Sequence, residues 1–188
     1  MTPSPVRGHT CPWWFAWTFD NPLRRLAHDP AAILAGLVRP GDTVVDVGCG
    51  LGFFTIAMAG LVGAGGKVIA VDLQQEMLMR ARRRAERRGL TDRIAFHQCA
   101  PDRIGIAGPV DFVLAFWMVH EVANRSAFLR EIRSLLRPAG HLLIAEPRGH
   151  VSPRLFERIT TAARDAGFAV RPGPDVRFSR SLLCTPAE

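Results

Sequence analysis

The chain has 188 residues, of which 48% are hydrophobic and 22% charged, with a formal net charge of +7. That is the size and make-up of one globular domain, which argues against disorder; a domain of this length buries roughly 70% of its unfolded-chain surface and needs neither disulfide nor metal to fold. Cys11, Cys49, Cys99 and Cys184 show no paired spacing, which argues against a disulfide framework and a four-cysteine zinc site.

Phe53 to Gly66 is uncharged but too short and too glycine-rich to cross a bilayer. The N-terminus lacks a basic start leading into a long apolar run. A soluble cytoplasmic protein with no membrane span is therefore expected. The positive charge is carried by arginine and clusters in 80-RARRRAERRG-89. On a helix, Leu78, Ala81 and Ala85 form one apolar stripe, and the arginines fall on the other faces with solvated heads. A nucleic-acid patch is the lesser reading, because no aromatic-interleaved basic stretch or zinc-finger spacing accompanies it.

Residues 1–30 hold Trp13, Trp14, Phe15, Trp17 and Phe19, an aromatic segment that either packs onto the domain or acts as a lid over a pocket. The domain proper spans 31–188. Strands are predicted at 43–47, 67–72, 93–98, 110–116 and 141–146, with weaker ones at 168–171 and 181–184. Helices are predicted at 54–61, 75–88, 125–136 and 153–166, ending at Gly63, Gly89, Pro138-Ala139-Gly140 and Gly167. Alternation of this kind implies a doubly wound α/β fold, with a mostly parallel sheet and helices on both faces.

The most informative stretch is 44-VVDVGCGLGFFTIAMA-59. It reads as strand, glycine turn and helix. Gly48, Gly50 and Gly52 clear side chains where backbone approaches a ligand, and the helix after them offers unpaired N–H groups. The dinucleotide fingerprint G-x-G-x-x-G is not met, since its third glycine would fall at Phe53. Asp46, at the end of a buried strand, would also repel a pyrophosphate. A cationic or zwitterionic ligand such as S-adenosylmethionine (SAM), with its sulfonium and α-amino group, fits better. Asp72, ending 68-VIAVDL-73, suits the two hydroxyls of a ribose, with capping of the next helix as its alternative role. Leu73 could line an adenine slot.

With 111-DFVLAFWMVHEV-122 and 135-LLRPAGHLLIAEP-147, these segments resemble the class I SAM-dependent methyltransferases over about residues 40–170. The pattern is similar to the small-molecule enzymes that include quinone-biosynthesis C-methyltransferases and arsenite methyltransferases. The resemblance implies a seven-stranded Rossmann-like methyltransferase sheet with the last strand antiparallel. It implies SAM as cofactor, S-adenosylhomocysteine as its product, and a cofactor site on Asp46, Gly48, Cys49, Gly50, Gly52, Asp72, Leu73 and Phe116. Many members carry an acidic residue for the adenine amino group after the third strand. Here 96-FHQCAPD-102 puts Cys99 and Ala100 near that place, with Asp102 or a backbone carbonyl as substitutes.

Methyl transfer from a sulfonium needs alignment above all, and a base only if the acceptor loses a proton. His120 and Glu121 beyond the fourth strand, with Glu146 and His150 beyond the fifth, are the catalytic candidates; packing, capping or a His/Glu metal site are the other readings. No N/D-P-P-Y/F sequence follows the fourth strand, where amino-methylating nucleic-acid enzymes carry one. The segment Ala115–Met118 is apolar instead, which points to a small, partly apolar acceptor. Trp13, Trp14, Trp17 and Trp117 would wall its pocket, and Arg24 would meet an anionic group. A thiolate-held arsenic acceptor would need three of the four cysteines to meet. The rivals are a non-catalytic SAM-binding module and a nucleic-acid methyltransferase using the Arg80–Arg88 surface.

Overall fold

A computed structural model describes residues 28–187. The expected lid, with Trp13, Trp14, Trp17 and Arg24, lies outside the described residues. In chain order the elements are α1 (Pro30–Leu34), β1 (Thr43–Val47), α2 (Phe53–Val62), β2 (Lys67–Asp72), α3 (Gln75–Glu86) and β3 (Ile94–Gln98). They continue with β4 (Val110–Phe116), α4 (Arg125–Leu135), β5 (Leu136–Pro147), α5 (Pro153–Asp165), β6 (Phe168–Pro172) and β7 (Ser179–Pro186). Single turns of 3₁₀ helix occupy Thr91–Arg93 and Val119–Glu121.

The strands form one sheet in the order β3-β2-β1-β4-β5-β7-β6. The first five are parallel, and β7 runs antiparallel to both β5 and β6. The sequence order reverses between β1 and β4, which opens a crevice beyond their carboxyl ends, the place where ligands bind in such sheets. Residues of β4 alternate between two cores: Phe112, Leu114 and Phe116 join the core with α1, α2 and part of α3, while Val113 and Ala115 join the core with α4 and α5. A strand buried on both faces needs this unbroken apolar run.

Local chemistry sets the helix starts. The Asp29 carboxylate accepts the Ala31 N–H at 3.0 Å, Asn124 Oδ1 accepts Ala127 N–H at 3.0 Å, and Ser152 Oγ accepts Leu155 N–H at 3.2 Å. The five-residue α1 is additional to the predicted elements. The fifth strand also begins earlier than predicted, at Leu136. Its pairing with β4 shifts between Val110↔Leu136 and Phe112↔His141. Pro138, which cannot donate to a ladder, is taken up inside that irregularity instead of ending the strand region.

Candidate functional site

The glycine turn hangs from β2. Gly48 N–H and Cys49 N–H both donate to Val71 O, at 2.8 and 3.0 Å. Gly50 N–H then donates to Asp72 Oδ2 at 2.9 Å, while Asp72 Oδ1 accepts Gln74 N–H at 2.9 Å. The carboxylate thus faces three backbone N–H groups, of Gln74, Gly50 and Leu73, and keeps acceptor capacity for a further donor. Burial pushes the Asp72 carboxyl above its ordinary value, against the pull of the Gln74 and Gly50 hydrogen bonds. Asp46 is buried at the end of β1 and accepts Thr55 Oγ at 2.5 Å.

The three glycines divide their work. A methyl on Gly48 would lie 3.0 Å from Met118 Cγ, and one on Gly52 would lie 3.0 Å from Ala81 Cβ of α3. A methyl on Gly50 would meet nothing within 4 Å. Only Gly50 therefore fits the expectation of a side chain cleared for a ligand. Gly52 lets α2 and α3 approach, and Gly48 lets the segment after β4 approach the turn. Arg84 Nη1 donates to Leu51 O at 3.3 Å and ties the turn to α3.

After β3, Cys99 N–H donates to Asp72 O at 3.1 Å, Gln98 Nε2 donates to Leu73 O at 3.1 Å, and Ala100 N–H donates to Arg103 O at 3.0 Å. Cys99 therefore stands beside Asp72, while Ala100 turns into the bridge with Arg103. Burial and the nearby Asp72 charge push the Cys99 thiol up to about 11, and burial pushes Cys184 up to about 12. Cys49 is likewise raised well above its ordinary value by burial and by Asp46. Cys99 follows β3, at one edge of the sheet, whereas Cys184 lies in β7, near the other. Among the described residues, no three thiols surround a common point.

Around the carboxyl ends of β4 and β5 the structure brings the four acid–base candidates together, with Glu146 inside β5, which runs to Pro147, instead of beyond it. His120 Nδ1 lies 2.5 Å from Oε2 of the fully buried Glu146, and the His120 N–H donates to Glu146 Oε1 at 3.2 Å. Glu121 Oε1 is 3.9 Å from His120 Nε2, and the exposed His150 ring is nearly parallel to His120 with centroids 6.4 Å apart. The hydrogen bond His120 makes to Glu146 raises the His120 pKa above 6.5, with burial opposing it. Sequence reasoning missed Arg125, whose guanidinium donates to the carbonyls of Val119 and His120 at 3.1 and 2.6 Å. Its position as first residue of the helix after the 3₁₀ turn was the only available signal. No group of three or more His, Cys, Asp and Glu side chains among the described residues has metal-site geometry.

Phe116 and Trp117 build an aromatic wall on the other side of β4. Phe116 packs on Phe54 and Trp117, with centroids 4.4 and 5.4 Å away, and His28 meets Trp117 edge-on at 5.1 Å. Trp117 sits in the left-handed region at φ 60°, costly for a bulky side chain. Its N–H donates to Ala145 O at 2.8 Å and its Nε1–H to Ser179 Oγ at 2.9 Å. Phe116 thus lies in the wall and core, where contact with a cofactor ring remains a proposal.

A family model described as "Methyltransferase domain" matches residues 39–167. The chain belongs to the class I SAM-dependent methyltransferases. A SAM-dependent methyltransferase from Aquifex aeolicus has the same fold, with a TM-score of 0.83 at 25% identity over 93% of this chain and 98% of that one. A demethylmenaquinone methyltransferase of Symbiobacterium thermophilum is 36% identical over 57% of this chain and 43% of its own length. A ubiquinone/menaquinone biosynthesis C-methyltransferase of Cellvibrio japonicus is 33% identical over 61% of this chain and 46% of its own. This methyltransferase chain thus spans less than half the length of these two curated relatives. Its family's cofactor is SAM, and the donor set fits that group: Asp72 retains acceptor capacity for hydroxyls, and the space beside Gly50 would admit a ligand against backbone.

Proposed function

We propose that this chain transfers a methyl group from SAM to a small-molecule acceptor. The observation that carries the reading is the Gly50–Asp72 hydrogen bond, which joins the turn after β1 to the acid ending β2 in one binding surface. Asp72 would hold the ribose hydroxyls, Gly50 and Cys49 would face the methionine end with Asp46 behind them, and Leu73, Cys99, Ala100 and Phe116 would bound the adenine. When bound, SAM supplies an electrophilic methyl whose carbon–sulfur bond breaks with its electron pair staying on sulfur.

The chain's own part is placement and proton removal. Met118 packs on Gly48, so the 3₁₀ turn carrying His120 adjoins the cofactor turn. His120 takes the acceptor's proton at Nε2, and Glu146 holds the ring through Nδ1 and offsets the charge that forms. Glu121 and His150 stand beside that nitrogen and would tune it or contact the acceptor. Trp117 would wall an apolar, ring-bearing acceptor, in keeping with the quinone-pathway names of the relatives. Trp13, Trp14, Trp17 and Arg24 would complete the pocket from the N-terminal segment.

Incubation with methyl-labelled SAM and a metabolite extract tests this directly. Label transferred to a low-molecular-weight product, with S-adenosylhomocysteine formed in equal amount, supports the reading. Tight SAM binding without turnover would leave a binding module, and label appearing in RNA would move the acceptor to nucleic acid.

A further inference from the structure

His120 is held at three of its four polar points. Its N–H and Nδ1 both engage the buried Glu146, and its carbonyl accepts Arg125 Nη2 at 2.6 Å. The same guanidinium reaches the preceding carbonyl, Val119 O, through Nε at 3.1 Å. One planar fork therefore bridges two successive carbonyls of the 3₁₀ turn, a geometry that a single ammonium reproduces poorly. The fork is anchored at the start of α4, where Asn124 caps the helix. Nε2 is the remaining polar atom, 3.9 Å from Glu121 Oε1 and so beyond hydrogen-bond reach of it.

We infer that Arg125 is a positioning residue that, opposite Glu146, fixes the backbone and ring of His120 so that Nε2 alone is presented to the acceptor. The inference rests on the reading of His120 as proton acceptor. With Nδ1–H donated to Glu146, the neutral ring has one tautomer, whose lone pair is on Nε2. An acceptor X–H then gives its proton to that nitrogen, and the X–H electron pair forms the bond to the methyl carbon. The charged or titratable groups facing the ring are Glu146 from β5, His150 from the loop after β5, Glu121 from its own turn and Arg125 from α4.

Nitrogen NMR on the full chain with ¹⁵N-labelled histidine rings tests the inference without any acceptor. In the unmodified protein, His120 should show one Nδ1-protonated tautomer and a hydrogen-bonded proton shared with Glu146. Arg125→Ala should raise the minor tautomer about tenfold, the equivalent of one charge-assisted hydrogen bond, and broaden that proton. Arg125→Lys should recover part of the signal. S-adenosylhomocysteine titrated by calorimetry into each variant should bind within about twofold of the parent, which separates positioning from folding. If Arg125→Ala unfolds, Arg125→Lys and Arg125→Gln carry the same comparison. Unchanged His120 tautomer and titration in a folded variant would overturn the inference, whereas absence of heat with the unmodified protein would overturn the SAM reading instead.

Discussion

Asp72 meets the backbone N–H groups of Gln74, Gly50 and Leu73, and as the proposed ribose ligand it should be the most sensitive single residue for cofactor binding. Asp72→Ala removes the partner of Gly50 and Gln74 and, with them, the proposed ribose contact, and should weaken SAM binding by about 1–3 kcal/mol in calorimetry. Burial holds the Asp72 pKa above its ordinary 3.8, while hydroxyl donors favour the charged form. SAM affinity should therefore fall as pH drops through that raised value. His120 works in the opposite sense. Its raised pKa means that the paired, protonated form contributes stability fully below pH 6.5, and that contribution is lost as pH rises through the higher folded value. As the proposed base, His120 is available only above that value, so methyl transfer should climb with pH there. His120→Ala should lower turnover by roughly 10²–10⁴-fold while SAM affinity holds. Equal turnover would make the histidine structural.

Among the elements, α2 and α3 depend on Gly52, which combines φ +76° with a 3.0 Å approach to Ala81. Gly52→Ala should destabilise the fold by about 1–3 kcal/mol in urea unfolding, because the added methyl meets both backbone strain and a packed neighbour. Gly50→Ala meets no such neighbour but carries the same kind of strain at φ +52°, so it should cost less stability than Gly52→Ala, and a larger loss of SAM affinity would support the proposed turn site. The strand–turn–helix reading of residues 43–62 was legible because β-branched residues, spaced glycines and an apolar helix all agree there. The start of β5 was not legible, since Pro138 and Gly140 look like a terminator until the β4 pairing absorbs them. The His120–Glu146 contact was legible only as proximity: His120 follows β4 and Glu146 closes the adjacent parallel β5. The grip of Arg125 depends on a 3₁₀ turn of three residues, too short to leave a periodic signal. The short α1 was hidden for the same reason.

At the scale of the molecule, the strand order β3-β2-β1-β4-β5-β7-β6 places the glycine turn at the reversal between β1 and β4, with His120 and Trp117 just past β4. Among the described residues no helix is long and apolar enough to cross a membrane. The arginine-rich α3 is partly structural. Arg80 pairs with Glu76, Arg82 lies over Phe96 at 4.7 Å, and Arg84 holds Leu51 O. Arg83, Arg87 and Arg88 are exposed, and changing all three to Gln should leave SAM affinity within about twofold. Salt-dependent RNA binding lost in that triple variant would instead favour a nucleic-acid acceptor. The most direct measurement is calorimetric titration of SAM, S-adenosylhomocysteine and NADH into the unmodified protein and into Asp72→Ala. Saturable heat is expected with the first two ligands, weakened by the substitution, and none with NADH. Heat with NADH alone, or SAM binding indifferent to Asp72, would contradict it.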